Sequence, residues 1–248
     1  MSERRIRIEG LRYNPEKDTQ PRLQTYDVPF TDDMSLLQGL QYIKDHLDGS
    51  FTFRWSCRMA ICGSCGIMVN GNPRLSCETF LRDLLPGPVR VEPLENFPIQ
   101  RDLAVDQGRF VDTLASVKPY VVPAQEKPLS AGPHRQTPEQ LAAYYQYSQC
   151  INCLLCYAAC PQVGLNEHFV GPAALTLLHR YNADSRDVGW SARADVANSE
   201  GGVWGCTLVG YCSQVCPKAV DPAHAINQNK AKSALDYFGL RSLLGGAR

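Results

Sequence analysis

The sequence has no excess charge, no long apolar run and no nucleotide-binding glycine motif. Its 25 Lys and Arg side chains balance 25 Asp and Glu side chains, which gives no indication of a nucleic-acid partner. No apolar stretch approaches the roughly 18 residues that a membrane-spanning helix needs. The N-terminal residues MSERRIRIEG lack the apolar core of a secretory signal. We therefore expect a soluble chain, in the cytosol or on the cytosolic side of a membrane.

The sequence also lacks a motif that would bind a flavin or a nicotinamide cofactor. The glycine-rich segment 201–205, GGVWG, lacks the GxGxxG spacing and the preceding strand that a dinucleotide site needs. The five histidines do not lie at ligand spacing among the cysteines, so we expect surface or packing roles for them. They are His46, His134, His168, His179 and His224.

What the sequence does have is eleven cysteines, in three groups at short spacing. An odd number of cysteines without an export signal is a poor disulfide framework. In a reducing compartment such groups are more often metal ligands. The groups are Cys57, Cys62, Cys65 and Cys77; then Cys150, Cys153, Cys156 and Cys160; then Cys206, Cys212 and Cys216.

The first group has the ligand spacing of a plant-type [2Fe–2S] cluster. Its members are Cys57, Cys62, Cys65 and Cys77. This geometry needs a compact loop that aims three thiolates inward, with the fourth coming from across a hairpin. Gly63 and Gly66 lie beside the ligands, where glycine lets backbone N–H groups approach sulfur. A zinc site on the same thiolates is the alternative, although zinc sites prefer two C-x2-C pairs.

The second group, followed by Pro161, is a complete bacterial ferredoxin run of the form C-x2-C-x2-C-x3-C-P. In proteins with two such clusters, the fourth cysteine of each run ligates the other cluster. The predicted [4Fe–4S] ligands are therefore Cys150, Cys153, Cys156 and Cys216. The remaining ligands form a second site: Cys160, Cys206 and Cys212.

This second site lacks one ligand, because Val209 stands where the run would have a cysteine. An isopropyl group offers iron no lone pair, so we expect a [3Fe–4S] cluster. The alternative is a cubane whose fourth iron binds water or a substrate. That alternative needs polar, open surroundings, whereas Leu208 and Val209 predict an apolar plug. The change in ligation is expected to give this cluster a different potential from its neighbour's.

Local patterns divide the chain into domains at 1–104 and 105–248. The first reads as α+β, a small mixed sheet packed on one helix. Its predicted strands are RRIRIEGL, LQTYDVPF, GIMVNGNPRL with an Asn70-Gly71 turn, and VRVEPL. Its helix is predicted to bury Leu36, Leu37, Leu40, Ile43 and Leu47, with Thr31, Asp32 and Asp33 as capping candidates.

The second domain reads as helical. Val105, Phe110, Leu114 and Val117 share one predicted helical face. The proline-rich segment 118–136 predicts an extended connector. Thr137, Pro138 and Gln140 have the pattern of a capped helix start. Gly171-Pro172 and Asp221-Pro222 indicate two further starts.

Three segments together resemble the iron–sulfur subunit of succinate dehydrogenase and fumarate reductase complexes. They are SCRMAICGSCGIMVNGNPRLSC, CINCLLCYAACP and CTLVGYCSQVCPKAVDP. The resemblance covers nearly the whole chain and implies an N-terminal β-grasp domain and a C-terminal all-α dicluster ferredoxin domain. It implies electron transfer between a flavoprotein subunit with FAD and a quinone in one or two membrane anchor subunits. The chain would then sit on the cytoplasmic face of the inner membrane, with no catalytic residue of its own.

Within this family the sequence resembles the fumarate reductase branch. Thr207 follows Cys206 where dehydrogenases have a histidine, and no tryptophan follows Pro161 closely. By this resemblance, Lys230 and Thr207 map to a menaquinone contact. An ordinary surface lysine is the alternative for Lys230. The equivalent succinate dehydrogenase subunit, a soluble multi-cluster ferredoxin and a zinc-binding structural module are the competing functions.

Overall fold

The computed structural model describes residues 4–240, which fall into two compact units. One unit comprises Met1–Gln107 and Ile151–Ala159; the other comprises Gly108–Cys150 and Cys160–Arg248. The division predicted between residues 104 and 105 stays a prediction. The outer ends of the two predicted domains, residues 1–3 and 241–248, lie outside the described residues. Between residues 4 and 240, no helix combines the length and the apolar character needed to cross a membrane.

A mixed five-stranded sheet forms the frame of the first unit. Its strands are β1 (Arg5–Arg12), β2 (Arg22–Pro29), β3 (Gly66–Val69), β4 (Asn72–Leu75) and β5 (Val89–Glu92). Their order is β2-β1-β5-β3-β4, in which only the central β1–β5 pair is parallel. Two short strands, β6 (Ile99–Arg101) and β7 (Ala104–Val105), pair with each other. The predicted α+β class of this part is confirmed.

Local sequence explains the strands and the hairpin. In β1, Ile6 and Ile8 are buried while Arg5 and Arg7 are exposed, as alternation predicts. Asn70 and Gly71 have φ values of +48° and +76°. Positive φ at both central residues is what a type I′ hairpin requires. The Asn-Gly pair therefore joins β3 tightly to β4 and leads the chain back beside Cys65.

Helix α1 (Leu36–Tyr42) packs its apolar face into the sheet core. Its N-cap is Ser35, whose hydroxyl accepts from the amide of Gln38, while the Gln38 side chain accepts from the Ser35 amide. The predicted caps at residues 31–33 are thus wrong. A complete capping box satisfies two terminal N–H groups at once, which explains why the helix begins at this later position.

The continuation of α1 corrects a second prediction. Residues Ile43–Leu47 form a π-helical turn, closed by the amide of Asp48 donating to the carbonyl of Ile43 at 2.7 Å. An i→i+5 turn breaks the 3.6-residue periodicity on which the predicted face rested. Ile43 is buried, but Leu47 is 46% exposed instead of lying in the core.

The second unit is helical. The helices that follow α1 in the chain are α2 (Gly108–Ser116), α3 (Pro138–Tyr145), α4 (Leu155–Ala158), α5 (Pro161–Leu165), α6 (Pro172–Asn182), α7 (Trp190–Asn198), α8 (Tyr211–Gln214) and α9 (Pro222–Tyr237). Of these, α4 belongs to the first unit. Val105 lies in β7 and not in α2, which corrects the predicted helical face.

The predicted starts of three helices are confirmed. Thr137 and Gln140 form a reciprocal capping box at the start of α3. Pro172 occupies the first turn of α6. At α9, the Asp221 carboxylate accepts from the amide of His224. Each start depends on neighbouring residues only. Either a side chain accepts from a terminal N–H, or a proline in the first turn has no N–H that needs an acceptor.

A buried ion pair holds the connector against the second unit. Arg193 on α7 is fully buried and donates to both carboxylate oxygens of Asp187, at 2.7 and 2.9 Å. The same guanidinium donates to the carbonyls of Lys118 and Tyr120. Five planar donors let one arginine satisfy several acceptors. The connector 118–136, which contains one 3-10 turn at Leu129–Ala131, is thereby anchored at its start.

Candidate iron–sulfur cluster sites

The loop of the first cysteine group points backbone amides at sulfur. The amides of Met59, Ile61 and Cys62 donate to Sγ of Cys57 at 3.3 to 3.4 Å. These hydrogen bonds lower the pKa of the Cys57 thiol to about 6. A site that stabilises thiolate in this way suits the negatively charged sulfur ligands of an iron–sulfur cluster.

The remaining ligands of this group are linked in the same loop. Sγ of Cys62 accepts from the amides of Cys57 and Ser64, at 3.4 and 3.5 Å. Sγ of Cys77 accepts from the amide of Ala60 at 3.3 Å. Burial, followed by a hydrogen bond with Cys65, raises the pKa of Cys77 to about 12. The four cysteines are therefore brought together, which fits the predicted [2Fe–2S] ligand set.

Backbone conformation explains how so many amides face one region. Arg58, Ala60 and Gly63 have φ values of +61°, +56° and +71°. Left-handed residues that alternate with right-handed ones turn successive N–H groups toward the same side and form an anion-binding concavity. For the non-glycine residues this conformation is strained, and such strain is concentrated at functional sites. The sequence suggested the glycines but not the conformations of Arg58 and Ala60.

An apolar surface surrounds this loop. Met59 and Ile61 are 70% and 57% exposed, and Trp55 is also exposed. The Arg58 guanidinium lies over the Trp55 ring at 4.5 Å from its centroid. Large apolar side chains grouped at the surface mark sites of protein contact. Sequence analysis missed this surface, whose signal was three large apolar residues in or beside a ligand loop.

The second cysteine group is divided between the two units. Cys153 and Cys156 belong to the first unit, in the segment that contains α4. Cys150 and Cys216 belong to the second unit, where both pack against the cluster formed by Tyr147, Val220 and Ala225. The assignment of these four cysteines to one [4Fe–4S] cluster stays a prediction.

The third ligand set lies within the second unit. Cys160, Cys206 and Cys212 line one small pocket. Burial, followed by the charge of Cys160, raises the pKa of Cys212 to about 11. Burial also raises the pKa of Cys160. Buried thiols resist ionisation unless a cation compensates them, and iron supplies that charge on coordination.

The position of the missing ligand also lines this pocket. Val209 and Leu208 border it together with the three cysteines, and most of the lining is apolar. Leu208 has a φ of +58°, and its amide donates to Sγ of Cys206 at 3.4 Å. Val209 is 48% exposed. The two side chains therefore form an apolar rim of the pocket and not a buried plug, and neither carries a polar group for a fourth iron.

Lys230 is attached to this same ligand loop. Its Nζ donates to the carbonyl of Cys206 at 2.6 Å and lies 5.6 Å from the centroid of the Trp204 ring. Thr207 lines the pocket beside Cys206. Lys230 is half-buried, and its assignment as a quinone contact stays a prediction. Trp204 was missed in the sequence, where a lone tryptophan beside a ligand gives no specific signal.

One histidine of the second unit, His179, has a packing role. His179 packs edge-on against Tyr147, and burial lowers its pKa to about 4. It is therefore neutral at physiological pH and acts as a packing residue. In the described part of the chain, no three His, Cys, Asp or Glu side chains converge on a single metal-ion position. A cluster differs from such a site because its thiolates are shared among two or more iron atoms.

Known proteins share these domains and this fold. The family model for a 2Fe-2S iron–sulfur cluster binding domain matches residues 7–112, and the model for a 4Fe-4S dicluster domain matches residues 142–217. The chain is 56% identical to the fumarate reductase iron–sulfur subunit of Haemophilus influenzae over 242 residues, 94% of each protein.

More distant relatives extend the comparison. The succinate dehydrogenase iron–sulfur subunit of Coxiella burnetii is 38% identical over 222 residues, which cover 88% of this chain and 92% of that protein. A chain of the Mycobacterium smegmatis Sdh1 complex in the apo form superposes with a TM-score of 0.83 at 25% identity, covering 96% of this chain and 98% of that one. The predicted fold class and iron–sulfur cofactors are confirmed. The chain belongs to the family of fumarate reductase and succinate dehydrogenase iron–sulfur subunits.

Proposed function

We propose that this chain is the electron-transfer subunit of a membrane-bound quinol:fumarate reductase. The observation that carries the proposal is 56% identity, over 94% of the chain, to a named fumarate reductase iron–sulfur subunit. The chain relays electrons between menaquinol, held by the membrane anchor, and the FAD of the flavoprotein subunit that reduces fumarate. Overall, menaquinol and fumarate give menaquinone and succinate, so two electrons cross the chain for each fumarate.

The three cysteine groups assign the cofactors within this relay. Bound iron–sulfur clusters supply one-electron redox chemistry, which amino-acid side chains lack. The chain's own groups bind and tune them. At the first site, amides such as those of Met59 and Ile61 stabilise sulfur charge through hydrogen bonds. At the third site, Val209 withholds a ligand, which favours [3Fe–4S].

The quinone contact is proposed at the third site. Lys230 donates one of its three N–H groups to the Cys206 carbonyl, which leaves the ammonium oriented beside the ligand loop. A cation there stabilises negative charge that develops on a quinone oxygen. Thr207, on the same pocket, offers a hydroxyl for a second hydrogen bond.

The partners follow from the same proposal. They are a flavoprotein subunit, one or two membrane anchor subunits and a quinone, with the chain peripheral on the cytoplasmic face of the inner membrane. The exposed surface of Trp55, Met59 and Ile61 at the first site supports docking of the flavoprotein there. An apolar surface around a ligand loop excludes water from the electron path once it is covered.

Purification of the intact complex tests this function. We expect co-purification with a flavoprotein and membrane anchors, and about nine irons per chain from clusters of two, four and three irons. Oxidised protein should show a [3Fe–4S] electron paramagnetic resonance (EPR) signal near the free-electron value, and reduction should reveal the [2Fe–2S] signal. A colourless zinc protein, or a stable free monomer that serves several enzymes, would contradict the proposal.

The similarity to the Coxiella burnetii subunit makes succinate dehydrogenase the second candidate. Quinone preference separates the two. A fumarate reductase is expected to turn over faster with menaquinol as donor than with ubiquinone as acceptor in the reverse reaction. Thr207 stands where the dehydrogenases have a histidine, and this difference favours faster turnover with menaquinol.

A further inference from the structure

Two glycines of the first cluster loop lie directly against the backbone of Cys153. A Cβ atom at Gly63 would meet Cα of Cys153 at 2.8 Å, its Cβ at 2.9 Å and the carbonyl oxygen of Ile151 at 2.9 Å. A Cβ atom at Gly66 would meet the carbonyl oxygen of Cys153 at 2.9 Å. All four residues belong to the first unit. The two backbones therefore touch with no side chain between them.

Both sides of this contact carry cluster ligands. Gly63 follows Cys62 and Gly66 follows Cys65, which are predicted [2Fe–2S] ligands. Cys153 is a predicted [4Fe–4S] ligand. The segment of Cys153 is held in the first unit, because the Asn96 amide donates to the carbonyl of Tyr157 at 2.9 Å. The contact is thus part of a packed unit and joins the two ligand loops.

We propose that Gly63 and Gly66 are positioning residues for electron transfer between the first and second clusters. Lacking side chains, they let the two ligand loops touch, and the electron crosses at the Gly63–Cys153 contact. One electron passes per event: the donor centre is oxidised, the acceptor centre is reduced, no bond forms or breaks and no proton moves. This inference rests on the proposed function and its cluster assignment.

The physical basis is the distance dependence of tunnelling. Electronic coupling decays steeply with separation, and more steeply across a gap than through atoms in contact. Because real Cβ atoms do not approach other atoms below 3.0 Å, a methyl group at Gly63 must displace its neighbours. Those neighbours are backbone atoms and the ligand's own Cβ, which cannot rotate away. The loops therefore separate by several tenths of an ångström.

Three glycine-to-alanine variants separate contact from backbone strain. Gly63→Ala introduces both, because Gly63 has a φ of +71°. Gly66→Ala introduces the contact without left-handed strain, since Gly66 has no left-handed φ; its Cβ would also meet Cδ2 of Leu155 at 3.1 Å and Cδ1 of Leu94 at 3.4 Å, which are ends of flexible side chains. Gly71→Ala is the matched control: its φ is +76°, but nothing lies within 4 Å of its Cβ position. A general effect of strain would appear at Gly71, whereas an effect of the contact would appear at Gly66.

The experiment uses the purified complex with iron content measured for each variant. Flash photoreduction followed by absorbance gives the rate of electron exchange between clusters. The microwave power at half-saturation of the reduced [2Fe–2S] EPR signal reports magnetic coupling to the reduced neighbour. We expect the exchange rate to fall by up to about twofold in Gly63→Ala and Gly66→Ala, with a smaller decrease in the coupling, and neither to change in Gly71→Ala.

Unchanged rate and coupling in a fully iron-loaded Gly66→Ala complex would overturn the inference. Loss of a cluster in both contact variants, with Gly71→Ala intact, would also count against it, because the contact would then serve assembly. If only Gly63→Ala loses a cluster, the exchange rate and magnetic coupling measured in Gly66→Ala decide whether the inference holds. Failure of the proposed function is recognised separately, in the unaltered complex: it would lack these cluster signals, or show them without menaquinol-dependent fumarate reduction.

Discussion

The ammonium group of Lys230 donates a hydrogen bond of 2.6 Å to the main-chain carbonyl of Cys206. Helix α9 is thereby attached to a ligand loop 24 residues earlier in the chain. The hydrogen bond holds the cation beside the third cluster site without using a side-chain carboxylate. A positive charge fixed in this way is preorganised, so it stabilises developing negative charge without reorganising first.

Replacing Lys230 with methionine should impair the quinone reaction selectively. The variant keeps an unbranched side chain of similar length but removes the charge and the donors. We expect menaquinol-dependent fumarate reduction to fall by about a hundredfold, the lower end of the effect of losing a preorganised donor. Fumarate reduction driven by a dye that reduces the clusters directly should be retained.

Lys232→Met is the control for this experiment. Lys232 lies on the same helix, but its Nζ sits over the Trp190 ring at 4.6 Å from the centroid. We expect its quinol-dependent rate to stay near that of the unaltered complex. An equal loss in both variants, or an equal loss of the dye-driven rate in Lys230→Met, would exclude a specific quinone role.

Replacing Val209 with cysteine should convert the three-iron cluster to a four-iron cluster. Val209 lines the same pocket as Cys206 and Cys212, so a thiolate there faces the vacant corner. We expect iron content to rise by about one atom per chain and the EPR signal of the oxidised [3Fe–4S] cluster to disappear. Val209→Ala should keep the three-iron signal, because it adds no ligand; persistence of that signal in Val209→Cys would contradict the ligand-count argument.

Cys57 should react before Cys77 when clusters are removed. Backbone hydrogen bonds lower its pKa to about 6, whereas burial raises that of Cys77 to about 12. The thiolate is the nucleophile, so alkylation of Cys57 should persist near neutral pH and fall as the pH drops below about 6. Peptide mapping after brief iodoacetamide treatment measures this, with Cys77 as the internal control. Equal labelling of both at neutral pH would show that the amides do not act on Cys57.

Replacing Arg193 with methionine should destabilise the second unit strongly. Its partner Asp187 is buried, and removal of the cation leaves an uncompensated charge. We expect a loss of about 3–5 kcal/mol in the free energy of unfolding, seen as a lower urea midpoint. Arg4→Met breaks an exposed pair with Asp32 and should cost less than about 1 kcal/mol. Similar midpoints for the two variants would contradict the role assigned to Arg193.

Sequence patterns predicted the fold where one short-range rule decides the structure. Alternation identified β1, the Asn70-Gly71 pair identified the hairpin, and Thr137 identified the start of α3. Prediction from the sequence failed where several nearby residues could take the same structural role. Several polar residues precede α1, and the structure uses Ser35 because Gln38 completes its capping box. The apolar pattern gave no indication of the π-helical turn that exposes Leu47.

For the sites, the sequence by itself determined which atoms can bind iron and which position cannot. Thiolate spacing and the lack of a lone pair at Val209 are properties of local covalent structure, which survive any packing arrangement. Only the tertiary structure decided that Lys230 bonds to Cys206 and that Gly63 touches Cys153. Those contacts join distant parts of the chain, and their partners are selected by packing of whole elements, for which a local sequence pattern has no signal.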